Sequence, residues 1–229
     1  MARPDPRHDV SRRVTIWADF RGSGPYIFQT SAMSNIHPHA TLPRHDKETL
    51  LGQRGIVLWF CGLSGSGKST IASGVERVLH DQGRFTIRLD GDNLRTGLNA
   101  NLGFSDDDRL ENIRRTAETA RILAANGVIV LCSLITPRGI HRDLARGILG
   151  EDFAEVFVKA SFEACEKRDV KGLYAKAAKG EVAHFTGRDS SFEEPQQADL
   201  VLNTEHLSIE DAVFEVLEFV RAKGTLPAD

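Results

Sequence analysis

The chain has 229 residues, 41% of them hydrophobic, and a formal net charge of −3. Such a composition fits one globular domain of ordinary size and excludes disorder along the whole length. The near-even charge balance argues against a nucleic-acid-coating or membrane-surface protein, and no apolar run approaches the ~18 residues of a membrane-spanning helix. Neither a nucleic acid nor a membrane is therefore expected as a partner. Cys61, Cys132 and Cys165 lie far apart and form no CxxC pair, which reads as reduced core thiols in a cytoplasmic protein.

Residues 1–55 hold four of the eight histidines and five of the eight prolines, without sustained period of 2 or 3.6. They read as an irregular arm with one short strand around Val14–Trp17. Met33 opens a plausible alternative start, which would make residues 1–32 non-native or dispensable. The arginines of the arm suggest a transit peptide, but Asp5, Asp9 and Asp19 oppose that reading. His37 and His39 lack the further ligands a metal site needs.

From Ile56 the chain alternates apolar runs with amphipathic segments, and residues 56–225 read as one domain. Strands are expected at Ile56–Cys61, Phe85–Leu89, Val128–Cys132, Phe153–Val158 and Ala198–Asn203. Helices are expected at Lys68–Asp81, from Ser105 as N-cap to Ala124, at Gly139–Leu149, at Ser161–Arg168, and after the Ser208/Asp211 capping box. This alternation predicts an α/β fold: a doubly wound, mostly parallel five-stranded sheet with helices on both faces. Residues 170–197 are too long and too polar for an ordinary connection and read as a lid.

Gly62-Leu63-Ser64-Gly65-Ser66-Gly67-Lys68-Ser69 fits GxxxxGK[ST], with Thr70 following. Glycines let amide groups converge on phosphate oxygens, and the helix that begins there adds partial positive charge. Lys68 suits the β- and γ-phosphates of a nucleoside triphosphate, and the Ser69 hydroxyl suits Mg²⁺. The motif follows an apolar strand and opens a helix, which is the context it requires. The second strand runs into Asp90-Gly91-Asp92-Asn93, read as an acidic turn at the ligand-binding end of the sheet. Its carboxylates could hold Mg²⁺ or take a proton from an acceptor hydroxyl. Arg95, and Arg109 with Asn112 three residues on, suit phosphate or sulfate oxygens. In the lid, Lys171 and Arg188 could close over a polyphosphate and Phe185 could stack on a purine.

With these residues assembled, the stretch from about Asn35 to Leu217 resembles the adenylyl-sulfate kinases. The resemblance rests on GLSGSGKST at 62–70, DGDN at 90–93 with Arg95, LGFSDDDRLENIRR at 102–115, KGLY at 171–174 and FTG at 185–187. It implies a P-loop kinase that phosphorylates the 3′-hydroxyl of adenosine 5′-phosphosulfate with MgATP, in sulfate assimilation. It further implies that Gly62–Thr70 hold the ATP phosphates and that Asp92 lies near Mg²⁺ and the 3′-hydroxyl. By the same resemblance, Arg95, Arg109, Asn112 and Lys171 grip the phosphosulfate nucleotide, while Phe104 and Phe185 sandwich its adenine. A homodimer, with ATP sulfurylase as functional partner, is implied too.

The chain departs from the family pattern at 134–139, which reads Leu-Ile-Thr-Pro-Arg-Gly. Thr136 stands where the family has a serine sometimes assigned as a phosphorylated intermediate, and is a catalytic candidate on that ground. Gly139 stands where an arginine is usual. Two alternatives remain open on the sequence: a kinase of another small metabolite, or a weakly catalytic nucleotide-binding partner of ATP sulfurylase.

Overall fold

The computed structural model describes residues 39, 41–169, 172–178 and 191–226. The chain divides into two units, Met1–Thr41 and Leu42–Asp229, and the described elements all belong to the second. The strand expected around Val14–Trp17 lies outside the described residues.

A short helix, α1 (Arg44–Leu51), opens the unit. It lies within the stretch expected to be irregular, and its own residues explain why periodicity missed it: none of them is buried. Tertiary ion pairs hold it instead. The Arg44 guanidinium pairs with Glu48 one turn on and with Asp152, both at 2.7 Å, and also donates to Gly55 O.

The sheet is built from β1 (Ile56–Cys61), β2 (Thr86–Asp90), β3 (Ile129–Ser133), β4 (Phe153–Lys159) and β5 (Leu200–Asn203). Its order is β2-β3-β1-β4-β5, and every neighbouring pair is parallel. Helices α2 (Lys68–Asp81), α3 (Gly91–Arg95), α4 (Asp106–Ala124), α5 (Gly139–Leu149), α6 (Phe162–Arg168), α7 (Leu173–Ala178) and α8 (Ile209–Ala222) complete the fold. Parallel strands need crossovers, and the helices that provide them cover both faces.

β1 is buried along its whole length, and its alternation feeds two cores. Leu58 and Phe60 pack with Ile71, Val75 and Leu79 of α2 and with Val213 and Val216 of α8. Val57, Trp59 and Cys61 face the other way, toward Ile113, Ala117 and Ala120 of α4 and Ala145 of α5. Each large apolar side chain fully withdrawn from water contributes about 1.5–3 kcal/mol. Both cores therefore depend on this one strand.

Two expectations need correction. The 90–93 stretch is not a turn: Asp90 ends β2, residues 91–93 open α3, and the Asp90 side chain caps that helix, accepting from the Asp92 amide at 3.1 Å. The expected lid is not wholly loop either, since α7 lies inside it. Asp169, with a positive φ of 22°, turns the chain there, and its carboxylate accepts from the Tyr174 and Ala175 amides at the start of α7. Among the described residues, no helix is long and apolar enough to cross a membrane.

Candidate active site

Register determines where the site lies. Phe60 pairs with Ser133, and Ser133 with Asp90, so β1, β3 and β2 finish together at the carboxyl end of the sheet. The glycine-rich loop leaves that end from β1, and α3 leaves it from β2. The two motifs singled out in the sequence are thereby placed side by side, at the strand ends where doubly wound sheets bind ligands.

Side chains hold the carbonyls of the loop. Lys68 Nζ donates to Gly62 O at 3.0 Å and Leu63 O at 2.6 Å. Tyr174 Oη donates to Ser64 O at 2.8 Å, and Thr204 Oγ1 to Ser66 O at 2.9 Å. Arg168 reaches Gly65 O at 3.4 Å and binds Thr204 through both its hydroxyl and carbonyl oxygens. Within a planar trans peptide C=O and N–H point in opposite directions. Holding these carbonyls fixes the peptide planes of the loop, and with them the directions of the amide groups that an anion cradle needs.

Gly62 has φ 145°, and a Cβ there would fall 2.4 Å from Val158 O, so only glycine fits. Tyr174 belongs to the KGLY stretch but carried no assigned role, and Arg168 and Thr204 were not foreseen. Their partners are 110, 103 and 138 residues away, respectively, and no local pattern announces such contacts.

Ser69 Oγ donates to Asp90 Oδ2 at 2.6 Å. The carboxylate facing the Ser69 hydroxyl thus belongs to Asp90, whereas the sequence reading paired Ser69 with Asp92 for metal. A hydroxyl and a carboxylate are hard oxygen donors of the kind that hold Mg²⁺ beside substrate phosphates, so the residues present fit that ion. Among the described residues, no group of three or more His, Cys, Asp or Glu side chains could hold a metal by itself.

Next to α3 lies a second charged cluster. The Arg95 guanidinium sits 4.3 Å from the Phe104 ring centroid and donates to Leu102 O and Gly103 O. The Arg109 guanidinium lies 5.9 Å from the same centroid and donates to Phe104 O. Burial lowers the affinity of both guanidiniums for their protons, and for Arg109 the charge of Arg95 adds to the effect. Phe104 is 55% exposed, an apolar platform flanked by two cations. Asn112 lies deeper: it is buried and its Oδ1 accepts from Asn99 Nδ2 at 2.7 Å. It supports the 99–112 segment from below.

Thr136 is placed differently from a reactive hydroxyl. It is 2% exposed, and its Oγ1 accepts from the indole Nε1 of Trp59 at 3.0 Å. Burial raises the pKa of Cys61, Cys132 and Cys165 alike, so none of the thiols is an activated nucleophile. Lys171, Phe185 and Arg188 lie outside the described residues.

The Adenylylsulphate kinase family model matches residues 54–203. The chain belongs to that family. An adenylyl-sulfate kinase of Bacteroides thetaiotaomicron is 52% identical over 183 residues, covering 80% of this chain and 91% of the relative. The Mycobacterium tuberculosis APS kinase CysC, solved in complex with AMPPNP and APS, is 49% identical with a TM-score of 0.71. That match covers 74% of this chain and 99% of the solved one. A hexameric APS kinase from Thiobacillus denitrificans is 28% identical with a TM-score of 0.59, covering 77% of this chain and 30% of that one.

Proposed function

We propose that this chain transfers the γ-phosphoryl group of ATP to the 3′-hydroxyl of adenosine 5′-phosphosulfate, giving 3′-phosphoadenylyl sulfate and ADP. The observation that carries the reading is the meeting of the glycine-rich loop with the Asp90–Arg95 stretch, joined by the Ser69–Asp90 hydrogen bond. A phosphoryl donor and an acceptor hydroxyl held at those two segments would stand in line, and positioning with charge stabilisation is most of what phosphoryl transfer requires.

In this reading residues 62–70 hold the triphosphate, with loop amides beyond Gly62 turned to its oxygens. Lys68 exchanges its loop carbonyls for the β- and γ-phosphates. Ser69 and Asp90 would hold Mg²⁺, which would neutralise charge on the phosphates. Asp92, one residue into α3 from its N-terminal glycine, orients the acceptor hydroxyl and receives its proton. Arg95 and Arg109 offer guanidinium forks to the phosphosulfate, and Phe104 offers its exposed face to the adenine. Lys171 and Phe185 complete the grip from the lid segment.

The kinase domain is taken as about residues 42–225, since α1 opens the same unit as the sheet, with a lid at about 170–197. Sulfate assimilation in the cytoplasm, a homodimer, and ATP sulfurylase as the source of the nucleotide extend the reading on the family resemblance. Comparing kcat/KM for adenosine phosphosulfate, AMP, shikimate and gluconate in one ADP-release assay tests it. A preference for the sulfonucleotide of at least a hundredfold is expected. Equal or better turnover of another acceptor would replace the reading.

A further inference from the structure

Thr136 combines three features that a phosphoryl acceptor would not need. It is a β-branched residue with φ 46°, in the left-handed region that such residues rarely enter. Its hydroxyl oxygen is occupied by Trp59 Nε1 at 3.0 Å, with both residues buried. Its carbonyl accepts from Arg142 Nη1 at 3.1 Å. Arg142 is itself buried and fixed by Glu155 at 3.1 Å, with side-chain exposures of 8% and 6%.

Strain of this kind costs about 1–3 kcal/mol and persists only where the surroundings over-determine it. Here the surroundings are the indole and the guanidinium. What they hold in place is the preceding residue: Ile135 O accepts from the amide of Gly62, the first glycine of the phosphate loop, at 3.2 Å. The next contact in the chain repeats the pattern, since Pro137 O accepts from the Glu193 amide and the Glu193 carboxylate accepts from the Gly139 amide at 2.6 Å.

We propose that Thr136 is a positioning residue, a latch whose hydroxyl, held by Trp59, fixes the 134–138 loop so that Ile135 O sets the entrance of the phosphate loop at Gly62. Phosphate does not pass through its oxygen. The hydroxyl lies in the core beside an indole N–H, and that hydrogen bond draws on the lone pairs an attack on phosphorus would use.

The inference rests on the kinase reading only in that the loop binds nucleotide, so the test reads MgATP affinity by calorimetry and needs no acceptor. Thr136→Val keeps the side-chain shape and Trp59→Phe leaves a small cavity, and each removes one partner of the hydrogen bond. Each is expected to weaken MgATP binding about tenfold, the order of one lost buried hydrogen bond. The double variant is expected to lose no more than either single one, and Thr136→Ser to recover most of what Thr136→Val loses. Thermal melts accompany each titration, performed well below the transition, so that a folding defect is told from a displaced loop.

Mass spectrometry of the wild type during turnover is expected to find no phosphothreonine at 136. Wild-type affinity in Thr136→Val or Trp59→Phe, independent additive losses, or phosphothreonine forming as fast as turnover would each overturn the latch. Wild-type protein that binds MgATP but fails to phosphorylate adenosine phosphosulfate would count against the kinase reading alone, with the affinity ratios still deciding the latch.

Discussion

Ser69 and Asp90 meet across the glycine-rich loop in a hydrogen bond of 2.6 Å, although 21 residues separate them in sequence. The contact exists because β3 lies between β1 and β2 and all three strands end in register. A hydroxyl from the first turn of α2 and a carboxylate from the end of β2 are thus presented as a pair. Asp90→Asn keeps the shape and the cap on α3 but removes the negative charge. It is expected to lower kcat by about 10²–10³, the range for one preorganised electrostatic contact, and to raise the Mg²⁺ concentration needed for half-maximal rate. Steady-state rates over a magnesium titration check both effects.

Lys68 lies buried against Gly62 O and Leu63 O, ready to exchange those partners for phosphate. Lys68→Ala is expected to cost about 10²–10³ in kcat. Near-full activity in an ADP-release assay would remove Lys68 from the mechanism.

Phe104, between Arg95 and Arg109, is expected to serve the acceptor nucleotide and not ATP. Phe104→Ala should raise KM for adenosine phosphosulfate about tenfold, within the ~1–3 kcal/mol of one base stacked on an aromatic ring. KM for ATP should stay within twofold. Equal rises in both constants would point to a general distortion of α4.

His141, buried in α5, contributes to the pH dependence of stability. Burial, assisted by the charges of Arg138, Arg109 and Arg142 and opposed by Asp106, pushes its pKa down from 6.5 to about 4. Between those values the unfolded chain binds the proton and the folded chain does not, so stability falls as pH drops through that window. Glu111, held by Arg114 and Arg115 down to about 2 from 4.5, acts the same way but at lower pH. Urea unfolding at pH 6.5 and pH 5 should therefore show a loss in the wild type that His141→Gln largely abolishes.

Gly55 precedes β1, and a Cβ there would fall 2.0 Å from the backbone oxygen of Ala124. Backbone cannot swing aside as a side chain can. Gly55→Ala is expected to destabilise the fold by about 1–3 kcal/mol, the usual cost of overpacking. A thermal melt reads this directly.

The sheet was legible because its strands are apolar runs of strand length separated by amphipathic helices. For β1, α2 and α5 the expected bounds coincide with those observed. The misses have local physical causes. α1 buries nothing and is held by Arg44 to Asp152, a contact spanning 108 residues. α3 is short and begins at a glycine, so Asp90-Gly91-Asp92-Asn93 reads as a turn until the cap is seen. Which carboxylate of that stretch faces Ser69 depends on the end of β2, a residue further on than the apolar run suggests. The partner of the Thr136 hydroxyl, Trp59, lies 77 residues away, and no local pattern announces that contact. Patterns read elements and motifs well; the partners that brace a motif come from strand order, which the motif does not encode.

Labelled phosphate gives the most direct measurement. Protein, Mg²⁺, ATP labelled at the γ-phosphate and adenosine phosphosulfate are mixed, and the nucleotides are separated. The expected result is one label per ADP formed, carried on the sulfonucleotide as its 3′-phosphate and dependent on both substrates. Label that stays in ATP, or leaves only as inorganic phosphate whether or not the sulfonucleotide is present, would contradict transfer at the junction of residues 62–70 with 90–95.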